Sequence, residues 1–189
     1  MNWNKLGIRL EIASPGELGV LDYIPVFHKW IQGQVFEDHL LVDVHNYSHV
    51  KDGPGILLVA HEGQFSLSFD ESQPALSYVR RRPFDGGTTP QECLRRVFRT
   101  TLFAASMLES EGIAFIDGRL DVLVNDRLNT SSVDDATQLE AVLSDFLRQH
   151  LKEVDFSVEH FQESSGILTL ALDSADDSMN VNLLLEKLT

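Results

Sequence analysis

Alternating apolar and polar positions run through the first third of the chain and predict β-strands. Residues 5–13 alternate in this way, with one side formed by Leu6, Ile8, Leu10 and Ile12. Residues 40–45 repeat the pattern, and one side there is formed by Leu40, Val42 and Val44. The run ILLVA at 56–60 has no polar residue, which predicts a central strand covered on both faces. The last two segments predict an antiparallel hairpin around a loop at about residues 46–55.

Helical periodicity alternates with the strand patterns further along the chain. It predicts a helix over residues 23–34 that ends at Gly33, and another over residues 132–151. The longest predicted helix begins with a capping box of Thr89 and Glu92 and continues to Gly112. Its buried face is predicted to consist of Leu94, Val97, Phe98, Thr101, Leu102, Ala105 and Leu108. Residues 181–188 fit a closing helix and a strand equally well.

The remaining apolar runs predict further antiparallel strands. Residues 65–69 and 75–82 extend the central hairpin into a meander. Residues 113–128 predict a hairpin that turns at Asp117-Gly118, and 156–172 predict another around residues 163–166. The fold class is therefore α+β, with an antiparallel sheet built from successive hairpins and about three helices packed mainly on one face. We expect residues 1–189 to form a single domain.

Composition narrows the class of protein. Twenty-nine acidic residues against fifteen basic residues give a net charge of -14. Such a chain is not expected to bind nucleic acid or an anionic membrane surface, because both depend on basic patches. The single cysteine, Cys93, permits no intrachain disulfide and is expected to be a buried, inert thiol. No signal peptide or membrane-spanning run is evident, which predicts a cytoplasmic protein.

Histidines near the central hairpin suggest a metal site. His39, His61 and Glu62 offer nitrogen and oxygen ligands at one end of the hairpin. The tight motifs of metal proteins are missing, since the chain has no His-Glu-x-x-His and no His-x-His. Pairing of His45 with Ile56, and of His61 with Leu40, would put the two histidines roughly 17 Å apart. A strand-end role for these side chains is the alternative.

A second candidate site would bind an anion. Arg80, Arg81 and Arg82 end a strand, and a glycine-rich loop with Thr88 and Thr89 leads into the longest helix. Loop amides and a helix N-terminus favour a phosphate or carboxylate, which arginine binds bidentately. Three more arginines follow on the helix, namely Arg95, Arg96 and Arg99. The alternative is a set of arginines paired internally with the surplus carboxylates.

A third candidate is the loop of the central hairpin. Asn46, Tyr47 and His49 carry side chains that make specific contacts, and loops on rigid hairpins often bind partners. The alternative is a structural turn. Asp43 and His45 share one face of the preceding strand, so they form a candidate acid and base pair.

Two further segments stand out, VFHKWIQ at 26–32 and YSHVKDGPGILLVAHEG at 47–63. Both resemble stretches of an uncharacterised family of bacterial proteins with no assigned activity. The resemblance implies a bacterial cytosolic origin and carries over no functional residue.

The function that we predict from these features is a non-enzymatic module that binds a protein or a small anionic ligand. It would use the loop at 46–55 and the arginine-rich region, and it would assemble as a homo-oligomer, since symmetric dimers are common. The alternative is a metal-dependent or general acid/base enzyme built from the histidine, aspartate and glutamate residues of the central hairpin. The sequence specifies no catalytic residue and no cofactor.

Overall fold

One antiparallel sheet organises the structure, a computed structural model that describes residues 5–51, 53–69, 74–124, 133–151, 156–162, 167–174 and 180–188. Its strands are β1 (Leu6–Ser14), β2 (Leu41–Tyr47), β3 (Gly55–Ala60), β4 (Gly63–Ser68), β5 (Ala75–Arg80), β6 (Ala114–Phe115), β7 (Arg119–Val124), β8 (Phe156–Gln162) and β9 (Leu168–Ser174). Eight of them pair side by side in the order β2-β3-β4-β5-β1-β7-β9-β8, and the short β6 pairs with β1.

Four α-helices among the described residues complete the fold, so the predicted α+β class is confirmed. They are α1 (Tyr23–Gly33), α2 (Pro90–Glu109), α3 (Val133–His150) and α4 (Val181–Leu188), and a short 3₁₀ turn, Val20–Asp22, precedes α1. The segment at 181–188, which the sequence left open, is thus helical. Among the described residues, none of the helices combines the length and the apolar run that a bilayer-spanning helix needs.

The core lies between the helices and one face of the sheet. Helix α2 packs on β1 and β5, while α1 packs on β2 and β3. The seven residues that the sequence assigns to the buried face of α2 are all buried, and so is Cys93. Phe98 on α2 meets Phe146 on α3 with ring centroids 5.1 Å apart. Leu57 and Val59 on β3 remain half-buried, so the predicted cover on both faces is wrong for this strand.

The β2–β3 hairpin forms as predicted but with a different register. His45 lies opposite Leu57 instead of Ile56, and the pairing is irregular between Leu41 and Asp43. Because of this β-bulge, the side chains at the start of β2 face the opposite way from the prediction. Leu41 is buried, whereas Leu40 and Val42, on the predicted core side, are exposed. At the other end of the hairpin, the His61 amide donates to the Leu40 carbonyl over 2.9 Å, as the sequence predicted.

The predicted hairpin at 113–128 is wrong. Both β6 and β7 pair antiparallel with β1, so they run in the same direction instead of folding back on each other. Ile12 lies opposite Phe115, and Arg9 lies opposite Asp121. The nine-residue β1 is long enough to pair with both strands along one edge, and the turn at Asp117-Gly118 only interrupts that edge. Strands β8 and β9 do form the predicted hairpin.

Helix α2 begins with half of the predicted capping box. The Thr89 hydroxyl accepts a hydrogen bond from the Glu92 amide over 3.3 Å. The Glu92 carboxylate accepts hydrogen bonds from Arg95 over 2.8 Å and from Arg96 over 2.9 Å. These two arginines compete for the carboxylate that the predicted box would direct back to the Thr89 amide. Their hydrogen bonds, that of Arg95 first, lower the pKa of Glu92 to about 2.

We expect Glu92→Gln to lower the free energy of unfolding at pH 7 by about 0.5–1 kcal/mol, because the pairs are partly solvated. The pKa of Glu92 is lower in the folded state than in the unfolded state, where it is about 4.3. Its contribution is therefore complete above about pH 4.3 and is lost as the pH falls toward 2. Urea unfolding at several pH values measures the difference. If the difference in stability between the wild-type protein and Glu92→Gln stays constant between pH 7 and pH 3, the assignment is contradicted. Glu17→Gln, at an exposed position, is the control and should show no such pH dependence.

Candidate functional site

A cavity of about 540 Å³ lies on the helix side of the sheet, between α2 and the connection from α1 to β2. Residues 35–39 of that connection form one wall. Tyr78 and Arg80 line it from β5, and Leu185 lines it from α4. The second wall comes from α2, through Arg96, Val97, Arg99, Thr100 and Phe103.

The α2 wall follows directly from helical geometry. Positions 96, 99, 100 and 103 have the spacing i, i+3, i+4 and i+7, which places them on one face of the helix. Val97 and Phe98, by contrast, belong to the apolar face that packs into the core. The cavity therefore lies where the polar flank of α2 meets its buried stripe. This position gives the site both apolar and charged groups.

A buried pair, His39 and Tyr78, forms the polar centre of the cavity. His39 is only 6% exposed, and its Nε2 lies 2.6 Å from the Tyr78 hydroxyl oxygen. Burial is the largest cause that lowers the pKa of His39 and raises the pKa of Tyr78. Both side chains are thus neutral at pH 7. Arg80 lies close enough to Tyr78 to oppose part of the rise in the pKa of its hydroxyl.

Close packing fixes the orientation of this pair. A Cβ at Gly63 would lie 2.7 Å from the Tyr78 hydroxyl and 2.7 Å from the Val79 carbonyl oxygen. Glycine at this position therefore lets the phenol ring lie across the start of β4. Phe36 and Phe65 surround His39, with ring centroids 5.9 Å and 6.2 Å from the imidazole. The pair is held rigidly among aromatic rings.

The three arginines of the cavity have different surroundings. Arg80 lies over the ring of Phe84, 4.2 Å from its centroid, and its Nε donates to the Arg82 carbonyl. Arg96 is paired with Glu92. Arg99 is exposed, and within the described part of the chain it has no hydrogen bond or ion pair. Among the cavity's three arginines, Arg99 is thus the one available to a ligand.

Carboxylates accompany the arginines. Glu37 and Asp38 lie on the wall formed by the connection, and Asp85 lies on the loop that follows β5. All three are exposed. Asp38 and Asp85 are close enough to Arg96 to raise the pKa of that guanidinium, after the larger effect of Glu92. The cavity therefore combines cationic, anionic and apolar surfaces.

The predicted metal ligands have different surroundings in the structure, although Glu62 lies close enough to His39 to act on its pKa. His39 lines the cavity, whereas His61 is exposed. A Glu62 side-chain oxygen accepts from the Leu40 amide over 2.9 Å, which explains its position at the strand end. Within the residues that the structure describes, no three histidine, cysteine, aspartate or glutamate side chains are grouped in a way that could hold a metal ion.

Only part of the predicted anion site lies at the cavity. Arg80 lines the cavity, but Arg81 and Arg82 are exposed outside it, and their amides donate to the Glu62 carbonyl. The Thr88 hydroxyl donates to the Asp85 carbonyl over 2.8 Å, and Thr89 caps α2. Both hydroxyls thus have local structural partners. Anion binding by this loop stays a prediction.

The predicted recognition loop lies at the other end of the hairpin. Tyr47 pairs with Gly55 at that end, whereas Gly63 pairs with Arg80 beside the cavity. The six residues of β3 separate the two ends by roughly 17 Å. Asn46, Tyr47 and His49 are exposed, and the Asn46 side chain accepts from the Ser48 amide over 2.9 Å. Binding by this loop also stays a prediction.

Sequence reasoning did not assign Tyr78, Val97, Thr100 or Phe103 to a site, and it placed Arg96 and Arg99 only behind a predicted anion loop. Two signals could have found them. The first is the i, i+3, i+4, i+7 series of polar and aromatic residues beside the apolar stripe of α2. The second is Gly63 at the start of a strand, which marks a close approach by another group.

Fold and site together define an α+β protein that carries a mixed polar and apolar cavity at one end of its antiparallel sheet. Comparisons with protein-family models, with curated proteins and with solved structures find no match for this chain.

Proposed function

We propose that the protein is a non-enzymatic binding module and that a small ligand with an anionic group binds in the cavity beside α2. The observation that carries the proposal is the cavity itself, about 540 Å³ in volume and centred on a buried, oriented hydrogen-bonding pair. Ligand sites commonly occupy about 300–1,000 Å³ and combine apolar walls with a few fixed polar groups. Arg99 supplies a guanidinium that is available for the anionic group.

A general acid/base enzyme is the second candidate, and the same pair favours it. Burial lowers the pKa of His39, which keeps its imidazole neutral and able to accept a proton at pH 7. The Tyr78 hydroxyl, however, is engaged with His39 rather than directed at a second reacting group. On the edge strand β2, Oδ2 of Asp43 lies 3.6 Å from Nε2 of His45, but both side chains are exposed and lie outside the cavity. Binding therefore has the stronger support.

The proposal also includes a cytoplasmic location and assembly into a homo-oligomer. Native mass spectrometry of protein purified without a metal column checks the assembly and any retained ligand. A mass excess that disappears on denaturation would identify the class of a bound molecule. A mass at a multiple of 21.2 kDa would give the number of subunits.

The binding proposal predicts that small molecules perturb the cavity and not the loop of the central hairpin. We would titrate a diverse fragment set and record the NMR chemical shifts of amides near Tyr78, Arg99 and Phe103. The variant Thr100→Tyr, which adds a phenol inside the cavity, is expected to abolish the perturbations. His49→Tyr adds the same group on the exposed loop and should leave them unchanged. Fragments that perturb only the loop would overturn the proposal.

A further inference from the structure

The two long walls of the cavity carry opposite charges. The α2 wall presents Arg96 and Arg99, and the wall formed by residues 35–39 presents Glu37 and Asp38. The chain as a whole has a net charge of -14, yet the three arginines of the cavity balance its three carboxylates. Walls of opposite charge favour a ligand that itself carries charges of both signs.

Existing contacts decide which groups remain available. Arg96 is held by Glu92 and is close to Asp38 and Asp85, and Arg80 lies over the Phe84 ring and donates to the Arg82 carbonyl. In the described part of the chain, Glu37, like Arg99, has no hydrogen bond or ion pair. Asp38 and Asp85 form no ion pair there either, but both act electrostatically on Arg96. Arg99 is therefore the available cation on α2, and Glu37 is a carboxylate of the facing wall that has no such interaction with Arg96.

An aromatic surface lies between the charged walls. Phe103 remains 37% exposed, and its ring meets the ring of Phe36 edge to face with centroids 5.3 Å apart. Leu185 and Val35 add aliphatic surface to the cavity. An exposed phenylalanine next to a buried one offers a ring or a large apolar side chain a place to pack.

From these observations we infer that the ligand is a zwitterion, namely a free α-amino acid with an aromatic or large apolar side chain. Its carboxylate would pair with Arg99, its ammonium group would face Glu37, and its side chain would pack on Phe36 and Phe103. A simple anion would leave the Glu37 carboxylate uncompensated, and a simple cation would leave the Arg99 guanidinium uncompensated. This inference rests on the proposed function, because it names the ligand class of the same cavity.

Three probes that share one phenyl ring and differ in charge test the inference. Phenylalanine carries both charges, 3-phenylpropionate lacks the ammonium group, and 2-phenylethylamine lacks the carboxylate. We expect calorimetric or NMR titration to give phenylalanine an affinity about 2- to 5-fold higher than either relative, since an exposed charge pair contributes at most about that factor.

Variants assign each preference to its residue. Arg99→Gln should remove the advantage of phenylalanine over 2-phenylethylamine, and Glu37→Gln should remove its advantage over 3-phenylpropionate. Phe103→Ala should weaken binding of all three probes, and its exposed position makes loss of the fold unexpected. Lys29→Gln and Glu17→Gln alter exposed charges outside the cavity and should leave every affinity unchanged.

The outcomes separate this inference from the function on which it rests. If 3-phenylpropionate binds as tightly as phenylalanine, the zwitterion is overturned and an anion-binding module stands. If none of the three probes binds while other fragments perturb the cavity, the ligand class is wrong and the cavity is still a binding site. If no small molecule perturbs the cavity residues, the inference and the proposed function both fail.

Discussion

Tyr78→Phe is expected to lower the free energy of unfolding by about 1–3 kcal/mol, although it removes a single oxygen atom. That oxygen lies 2.6 Å from Nε2 of His39, and the imidazole is only 6% exposed. Without the hydroxyl, a buried imidazole nitrogen loses its hydrogen-bond partner. Urea unfolding at pH 7 measures the effect. Tyr47→Phe, at an exposed position, is the matched control and should change stability little.

The same pair makes stability depend on pH in a defined direction. Burial lowers the pKa of His39 below its unfolded value of about 6.5, so the folded state resists protonation. Above about pH 6.5 the imidazole is neutral in both states and contributes no pH dependence. Below that pH the unfolded chain binds a proton that the folded chain does not, so stability falls until the folded pKa is reached.

Replacement of the imidazole tests this direction. His39→Gln keeps an amide that can hydrogen-bond to Tyr78 and removes the titrating group. The loss of stability between pH 7 and pH 5 should therefore be smaller in this variant than in the wild-type protein. An equal loss in both proteins would show that His39 is not the buried base of the cavity.

Local patterns were enough to predict most of the elements. The alternation in β1 and the apolar stripe of α2 reflect the periods of a strand and a helix, and both segments have one buried face. In such segments the apolar residues must recur with the period of the strand or helix, because only then do they all lie on the buried face. The N-terminus of α2 was equally readable, because Thr89 and Pro90 act within one turn of the helix.

Pairing between distant segments was not predictable in the same way. The segment at 113–124 alternates as a hairpin would, yet β6 and β7 both pair with β1, a hundred residues away. A bulge explains why the face of β2 that was predicted to be exposed is the buried one at the start of the strand. The bulge inserts one residue without changing the apolar pattern of the sequence. Both errors concern contacts that only the assembled sheet defines.

The site shows the same division. His39 and Arg80 were predicted as site residues from their chemistry. Tyr78, which hydrogen-bonds to His39, was not predicted, because nothing in the sequence distinguishes it from other aromatic strand residues. Arginines at 80–82 and 95–99 form one cluster in the sequence. The fold directs Arg80, Arg96 and Arg99 to the cavity and leaves Arg81, Arg82 and Arg95 outside it.

The largest loss of stability is expected for Gly55→Ala, at the end of the hairpin opposite the cavity. Gly55 starts β3 with φ of 68°, a left-handed conformation that costs a side-chain-bearing residue about 1–2 kcal/mol. An added Cβ would also collide with the Leu67 carbonyl oxygen and lie 2.8 Å from Cα of Ser68, both backbone atoms of the neighbouring β4. We therefore expect a total loss of about 2–4 kcal/mol in urea unfolding.

Gly86→Ala is the matched control for this change. An added Cβ at Gly86 meets no atom within 4 Å, so the substitution should be neutral or slightly stabilising. Equal effects of the two substitutions would mean that β3 does not begin in the left-handed conformation against β4. Because roughly 17 Å of strand separates Gly55 from the cavity, the folded fraction of Gly55→Ala should bind cavity ligands with unchanged affinity. Stability and binding would then be shown to depend on opposite ends of the same hairpin.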